Sequence, residues 1–147
     1  MDTQPTPETP PYDILGGEAA VRRLVDRFYD LMDETPELYV IRKLHPQELS
    51  GSREKLFMFL SGWLGGPQLY VEKHGHPQLR ARHLPFAIGT AERDAWIACM
   101  TQAMEDCEIE EGMRGWLLNS LFGTADWMRN RRDEPGGSPA VDEQRET

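Results

Sequence analysis

The sequence predicts an all-α domain, because apolar residues recur every three to four positions along four separate segments. In a helix of 3.6 residues per turn, this spacing places them on one face, which a folded domain buries. No segment shows the strict alternation of apolar and polar residues typical of a half-buried strand, and no internal repeat is visible. With 147 residues, the chain is long enough for one domain with a substantial core.

The four helical segments are separated by recognisable turn signals. Gly16-Gly17 predicts a sharp turn before the first segment, and Gly65-Gly66-Pro67 predicts the end of the second, because glycine and then proline often follow a helix. The apolar stripes of the four segments are Val21, Leu24, Val25, Phe28, Leu31 and Met32; Leu56, Phe59, Leu60, Trp63 and Leu64; Trp96, Cys99, Met100, Ala103, Met104 and Cys107; and Met113, Trp116, Leu117, Leu121 and Met128.

Both ends of the chain are predicted to be disordered tails. Residues 1–11 contain four prolines, and residues 133–147 are polar and begin with a cluster of proline and glycine. Neither end can bury enough apolar surface to become ordered. We therefore expect a folded domain at residues 12–132 between an N-terminal tail and an acidic C-terminal tail.

The charge of the chain argues against several classes of partner. It has 16 Lys and Arg against 25 Asp and Glu, a net charge of −9, of which the two tails carry −2 and −4. We expect no nucleic acid and no membrane as partner, since no basic face is present. No stretch approaches the ~18 apolar residues of a spanning helix, and no signal peptide is visible, so we expect a cytoplasmic protein.

Residues 67–90 have little helical periodicity, and a long segment of this kind is more often functional than idle. Within it, Leu79 and His83 are four residues apart, so a helix would place both on one face. Pro85 disfavours a helical conformation for the residue before it. We therefore predict that His83 ends a short helix, where its imidazole either packs or holds a metal.

Several motifs stand in a fixed order along the predicted domain. They are Gly16-Gly17, Phe28-Tyr29, Gly65-Gly66-Pro67, Tyr70, Gly75-His76-Pro77-Gln78-Leu79-Arg80-Ala81-Arg82-His83-Leu84-Pro85-Phe86, Arg93-Asp94-Ala95-Trp96 and Cys99-Met100. This set resembles the group II truncated haemoglobins, and the similarity covers essentially the whole folded domain. The resemblance implies a truncated globin fold, a two-over-two helical sandwich around haem b, in which His83 binds the iron.

The residue types fit the site that the resemblance implies. Haem requires an axial imidazole, an apolar slot, and cations or hydrogen-bond donors for its two propionates. Arg82 and Tyr70 are the expected propionate partners, and Lys73 and Arg80 are weaker candidates. The expected walls of the slot, each of which could instead be ordinary core, are Phe59, Leu60, Trp63, Leu79, Phe86 and Met100.

On the other side of the iron, the resemblance places Tyr29, Trp96 and His45. The first two would donate hydrogen bonds to a bound ligand, although aromatic residues with backbone-bonded polar groups are common in cores. His45 stands where the group often has tyrosine or phenylalanine, and its ordinary pKa near 6.5 would make ligand binding depend on pH. Ser52 stands where larger globins keep a distal histidine, or it caps a helix.

Donors around bound dioxygen stabilise its developing negative charge by ~1.5–3 kcal/mol for each hydrogen bond. Slow release follows, so we expect redox chemistry of oxygen, peroxide or nitric oxide rather than oxygen delivery, with carbon monoxide as a further ligand. An oxidase, peroxidase-like or nitric oxide detoxifying activity would need a separate reductase. An oxygen carrier or sensor is the alternative, and we expect a monomer or weak homodimer.

Two other classes of function remain open from the residues alone. His74, His76 and His83 could bind a bare metal such as zinc, although no cysteine lies near them in the sequence. The chain could also be a helical adaptor whose acidic tails contact a partner. An intense Soret band in the purified protein would favour haem over both.

Overall fold

The structure, a computed structural model, describes residues 9–130, apart from the side chains of Leu79 and Arg80. Within this range the regular elements are all helical, which confirms the predicted fold class, and no helix there is long and apolar enough to cross a membrane. Except for residues 9–11, the predicted tails lie outside the described residues. The helices are α1 (Pro11–Leu15), α2 (Glu18–Glu34), a 3-10 helix (Pro36–Leu38), α3 (Tyr39–Arg42), α4 (Ser50–Trp63), α5 (Leu69–His74), α6 (Leu79–His83), α7 (Thr90–Asp106) and α8 (Glu111–Trp127).

Two pairs of long helices form the predicted two-over-two sandwich. Helix α2 packs against α4, α7 packs against α8, and contacts between α2 and α7 join the two pairs. The predicted apolar stripes supply the core between them, because one face of each long helix is removed from water. The largest fully buried side chains are Phe28, Met32, Leu60, Met100, Met104, Met113 and Leu117.

The turn into α2 and the end of α4 both depend on glycine. Gly16 and Gly17 have φ angles of 120° and 81°, which side chains rarely permit. After α4, Gly66 lies so close to the Tyr12 ring that an added Cβ would stand 2.5 Å from it. The Tyr12 N–H also donates to the carbonyl of Leu64 at 2.9 Å. These contacts fix α1 against the end of α4.

The segment between α4 and α7 is more helical than its sequence predicts. Residues 67–90 contain α5 and α6, which have only six and five residues. Elements this short do not repeat an apolar position often enough for a helical period to be visible. The predicted end of α6 is confirmed, because the helix stops at His83, two residues before Pro85.

Candidate functional site

The two histidines that were predicted to flank the iron come from different segments and lie near one another. His83 is the last residue of α6, and His45 lies in the loop after α3. The charge of His83 is close enough to contribute to lowering the pKa of His45. The fold therefore brings the predicted iron ligand and the predicted distal histidine to one region.

Tyr29 belongs to an aromatic cluster that joins α2, α7 and the loop of His45. Its ring lies edge-on to Phe28, with centroids 5.0 Å apart, and edge-on to His45, with centroids 5.7 Å apart. Trp96 of α7 packs against Phe28, with ring centroids 5.1 Å apart. The Cys99 thiol donates to the carbonyl of Phe28 at 3.1 Å and so fixes α7 against α2. The three predicted distal residues are thus linked in one aromatic cluster, in which Tyr29 contacts His45 and Phe28, and Phe28 contacts Trp96.

The Tyr29 phenol keeps its proton in this environment. Burial raises the pKa of Tyr29 far above its ordinary value, and the nearby Arg53 guanidinium only partly opposes that shift. Among residues 9–130, no side chain or backbone group forms a hydrogen bond with the Tyr29 hydroxyl. In the same range, every side-chain polar atom that is inaccessible to solvent does have a hydrogen-bond partner. The hydroxyl therefore borders accessible space, where it can donate a hydrogen bond to a ligand.

One hydrogen bond fixes the tautomer of the His45 ring. Nδ1 lies 2.9 Å from the carbonyl oxygen of Ile41, and because a carbonyl only accepts, Nδ1 carries a proton. Burial lowers the pKa of His45 despite this bond, and the charges of Arg42 and His83 lower it further. The neutral ring consequently presents Nε2 as an acceptor, and His45 gains a second donor only when it is protonated.

Arg42, which sequence reasoning missed, holds the turn that carries His45. Its Nε donates to Asp33 at 2.8 Å, and its two terminal nitrogens donate to the carbonyls of Pro46 at 2.9 Å and Gln47 at 2.8 Å. The signal was an arginine that ends a helix four residues before a proline, and such arginines are too common to stand out. The loop of His45 is therefore organised by a side chain as well as by its own backbone.

An apolar groove of about 180 Å³ lies along α4 and α5. Three predicted slot or propionate residues, Phe59, Trp63 and Tyr70, contribute to it. Its walls are Met58, Phe59, Gly62, Trp63, Gln68, Tyr70, Val71 and Pro77. The lining of the groove is mostly apolar, and among the described side chains it includes none from α6.

Three of the other predicted slot walls, Leu60, Met100 and Phe86, do not line this groove. Leu60 and Met100 are buried in the helical core and do not line this groove. Phe86 follows α6 and is 41% exposed. The side chain of Leu79 is outside the described part of the structure. Sequence spacing alone could not separate core from slot, since both require the same apolar residue types.

Two of the predicted propionate partners, Arg82 and Tyr70, lie together at one edge of the groove. The guanidinium carbon of Arg82 is 5.9 Å from the centre of the Tyr70 ring, and Arg82 Nε donates to the carbonyl of Pro77 at 2.7 Å. The His74 ring is 4.8 Å from Tyr70, and Lys73 is exposed beside it on α5. Cationic groups therefore border the apolar groove, and this combination fits haem, which is apolar with two carboxylates.

Ser52 is the third residue of α4, and it does not cap that helix. The N-cap position is Leu49, and no side chain forms a capping hydrogen bond there. The interpretation of Ser52 as a helix cap is therefore wrong. Its alternative, a short hydroxyl that leaves the site entrance open, stays a prediction.

The alternative metal site is not assembled in the described residues. Across residues 9–130, no group of three or more histidine, cysteine, aspartate and glutamate side chains could hold a metal ion. His74, His76 and His83 therefore do not form the zinc centre that their spacing left open.

Comparisons with known proteins match nearly the whole of the described structure. The family model of the bacterial-like globins matches residues 11–130. Group 2 truncated hemoglobin YjbI of Bacillus subtilis (strain 168) is 41% identical over 123 residues, which are 84% of this chain and 90% of that protein.

Two solved structures have the same arrangement of helices. The group II 2-on-2 hemoglobin from the plant pathogen Agrobacterium tumefaciens is 42% identical, with a TM-score of 0.82, over 88% of this chain and 100% of that one. The truncated oxygen-avid haemoglobin from Bacillus subtilis is 42% identical, with a TM-score of 0.74, over 82% of this chain and 98% of that one. The range that the family model matches, residues 11–130, spans both histidines, the aromatic cluster and the groove.

Proposed function

This chain belongs to the bacterial-like globin family, within the group II truncated haemoglobins, and from that premise we propose a haem b protein that performs redox chemistry on small ligands. Membership of the family implies haem and the binding of small diatomic ligands such as dioxygen. The proposal adds that the ligand is held for reaction with oxygen, peroxide or nitric oxide rather than released for oxygen delivery.

Four groups of this chain would hold the cofactor. When bound, haem supplies an iron that binds small ligands and exchanges electrons with them. His83, at the end of α6, would bind the iron. Phe59 and Trp63 of the groove would contact the macrocycle, and Arg82 would neutralise a propionate. The support for this assignment is an apolar groove whose edge carries Arg82, the residue before the predicted iron ligand in the sequence.

The observation that carries the redox proposal is the state of the Tyr29 hydroxyl. It is buried and protonated, and it has no hydrogen-bond partner among residues 9–130. Because this hydroxyl borders accessible space, a ligand that enters that space can accept a hydrogen bond from it. Trp96, packed on Phe28 beside it, offers an indole N–H as a second donor.

Two such donors favour retention of dioxygen over its release. A hydrogen bond to a charged partner contributes about 1.5–3 kcal/mol, and each 1.4 kcal/mol slows dissociation about tenfold. A ligand held in this way remains long enough for electrons to arrive from another protein. We therefore include a separate reductase in the proposal, together with a cytoplasmic location. The description of the Bacillus subtilis relative as oxygen-avid supports the same direction.

The proposal is tested on the purified full-length protein. Its reduced absorption spectrum, with and without carbon monoxide, establishes whether haem is bound. Rapid mixing then compares the rate of dioxygen release with the rate at which the oxygenated protein consumes nitric oxide. We expect release to be much the slower process. If dioxygen leaves before nitric oxide is consumed, the chain is a carrier or sensor instead.

A further inference from the structure

Asn130 reaches from the end of α8 to the segment that carries His83. It is the third residue after α8, and it is only 6% exposed. Its Nδ2 donates to the carbonyls of Phe86 at 2.8 Å and His83 at 3.2 Å, and its Oδ1 accepts the Ile88 N–H at 3.0 Å. The backbone N–H of Asn130 donates to the Ile88 carbonyl at 2.8 Å. One residue thus makes four hydrogen bonds with the chain between α6 and α7.

These bonds add to the few that the segment makes by itself, in which the His83 carbonyl also accepts the Phe86 N–H at 3.0 Å. The last carbonyls of any α-helix have no partner within the helix, and α6 is only five residues long. Pro85 supplies no N–H to the turn that follows. A primary amide carries two donor protons and an acceptor oxygen, so Asn130 can bind two carbonyls and one N–H at once. Aspartate offers the acceptor alone, and alanine offers neither.

The end of α8 is itself fixed independently of α6. Asp126 accepts hydrogen bonds from Arg93 of α7 at 2.6 Å and from Arg129 at 2.8 Å. Both arginines hold the pKa of Asp126 below its ordinary value, so its carboxylate stays charged. Asn130 therefore extends from a junction of α7 and α8 that ion pairs outside α6 brace.

We propose that Asn130 is a positioning residue for the iron ligand, which acts by fixing the peptide group of His83. This inference rests on the proposed function, because it takes His83 as the axial ligand. By holding the His83 and Phe86 carbonyls and the Ile88 N–H, Asn130 fixes the main chain from which the His83 imidazole projects. The Asn130 side chain thereby couples the iron ligand to the α7–α8 pair.

The test compares Asn130→Asp and Asn130→Ala with the wild-type protein, each reduced and loaded with haem. Resonance Raman spectroscopy measures the Fe–N(His) stretch, which responds to the orientation and tension of the imidazole. We expect this band to shift or split in both variants, because both lose the two donations to carbonyls. Asn119→Asp is the matched control, since it adds the same charge to an exposed position of α8 and should leave the band in place.

A second measurement needs no haem and separates positioning from general stability. Hydrogen exchange of the Ile88 amide, measured on the apoprotein, should be faster in Asn130→Ala, which lacks the acceptor, than in Asn130→Asp, which keeps it. Exchange of core amides in α7, followed in the same samples, reports any global loss of stability.

The outcomes distinguish the two proposals. A wild-type protein without an Fe–N(His) band overturns the proposed function, and the positioning role falls with it. A wild-type band that stays at the same frequency and width in both Asn130 variants overturns the positioning role alone. A variant that does not fold is replaced by Asn130→Ser, to which the same two outcomes apply.

Discussion

The two histidines of the candidate site are held by different parts of their residues. The His45 ring itself is bound, since Nδ1 donates to the Ile41 carbonyl. At His83, the hydrogen bond from Asn130 is to the main-chain carbonyl. A bond to a ring nitrogen selects the tautomer and therefore the chemistry of the other nitrogen. A bond to the main-chain carbonyl fixes the position of the residue but does not determine which ring nitrogen carries a proton.

Because the two histidines are held differently, we expect mutations near His45 and mutations near His83 to have different effects. Changes near His45 should alter how a ligand is held while the cofactor stays attached. Changes near His83 should alter attachment of the cofactor itself.

The largest effect is expected from His83→Gly. Loss of the only predicted axial ligand should abolish the proximal Fe–N(His) stretch and weaken retention of haem, because the apolar groove alone offers no bond to iron. Raman spectroscopy and the rate of haem transfer to an acceptor protein measure both effects. His76→Gly, at an exposed position of the same segment, is the control. An unchanged proximal stretch in His83→Gly would refute the assignment of the iron ligand.

The next effect concerns the donors on the side of His45. Tyr29→Phe should raise the rate of dioxygen dissociation about 10- to 100-fold, because it removes a hydrogen bond of about 1.5–3 kcal/mol. Trp96→Phe should act in the same direction. Tyr39→Phe and Trp127→Phe remove the same groups from positions that are 64% and 59% exposed, and we expect them to behave as wild type. Rapid dissociation that neither Tyr29→Phe nor Trp96→Phe changes would contradict the proposed role of the donors.

The four long helices could be predicted because their apolar period continues over several turns. Helices α5 and α6 could not, apart from the end of α6, since six and five residues give too little repetition. The convergence of Tyr29, Trp96 and His45 was expected only from the resemblance to a family. They come from three separate segments, and spacing along a chain does not tell which segments meet.

Arg42 and Asn130 escaped prediction for a related reason. Both bind backbone carbonyls, and every residue has a carbonyl, so no residue type in the partner segment marks the contact. Asn130 is also 47 residues from His83 in the sequence. In retrospect, the one visible signal is an asparagine shortly after the last apolar residue of α8, which reads equally well as an ordinary helix end.

A smaller effect is expected from pH. The folded protein lowers the pKa of His45 chiefly by burial, so the ring is neutral at pH 7 and Nε2 accepts. As the pH falls below the ordinary value of about 6.5 and through the lowered value, Nε2 gains a proton and becomes a donor. Dioxygen dissociation should therefore slow on acidification, by about tenfold for one charge-assisted bond. Tyr29 keeps its proton throughout this range.

Two variants identify His45 as the origin of that pH dependence. His45→Phe should abolish it, whereas His76→Gln, at an exposed position, should retain it.

The stability of the protein should also depend on the protonation of His45. Because the unfolded chain binds the proton more readily than the folded one, the free energy of unfolding should decrease as pH falls below about 6.5, and less so in His45→Phe. Dissociation that accelerates on acidification would contradict the assigned tautomer.

The smallest effect is expected at Arg42, whose charge lowers the pKa of His45 while its hydrogen bonds hold the Pro46 and Gln47 carbonyls. Arg42→Met removes both influences, so the midpoint of the His45 titration, followed by NMR, should move upward. Asp33→Asn removes the carboxylate partner of Arg42 but keeps the charge and the two carbonyl bonds. We therefore expect a clear upward shift in the first variant and little change in the second. Equal shifts in both would mean that the salt bridge, rather than the arginine beside the loop, controls His45.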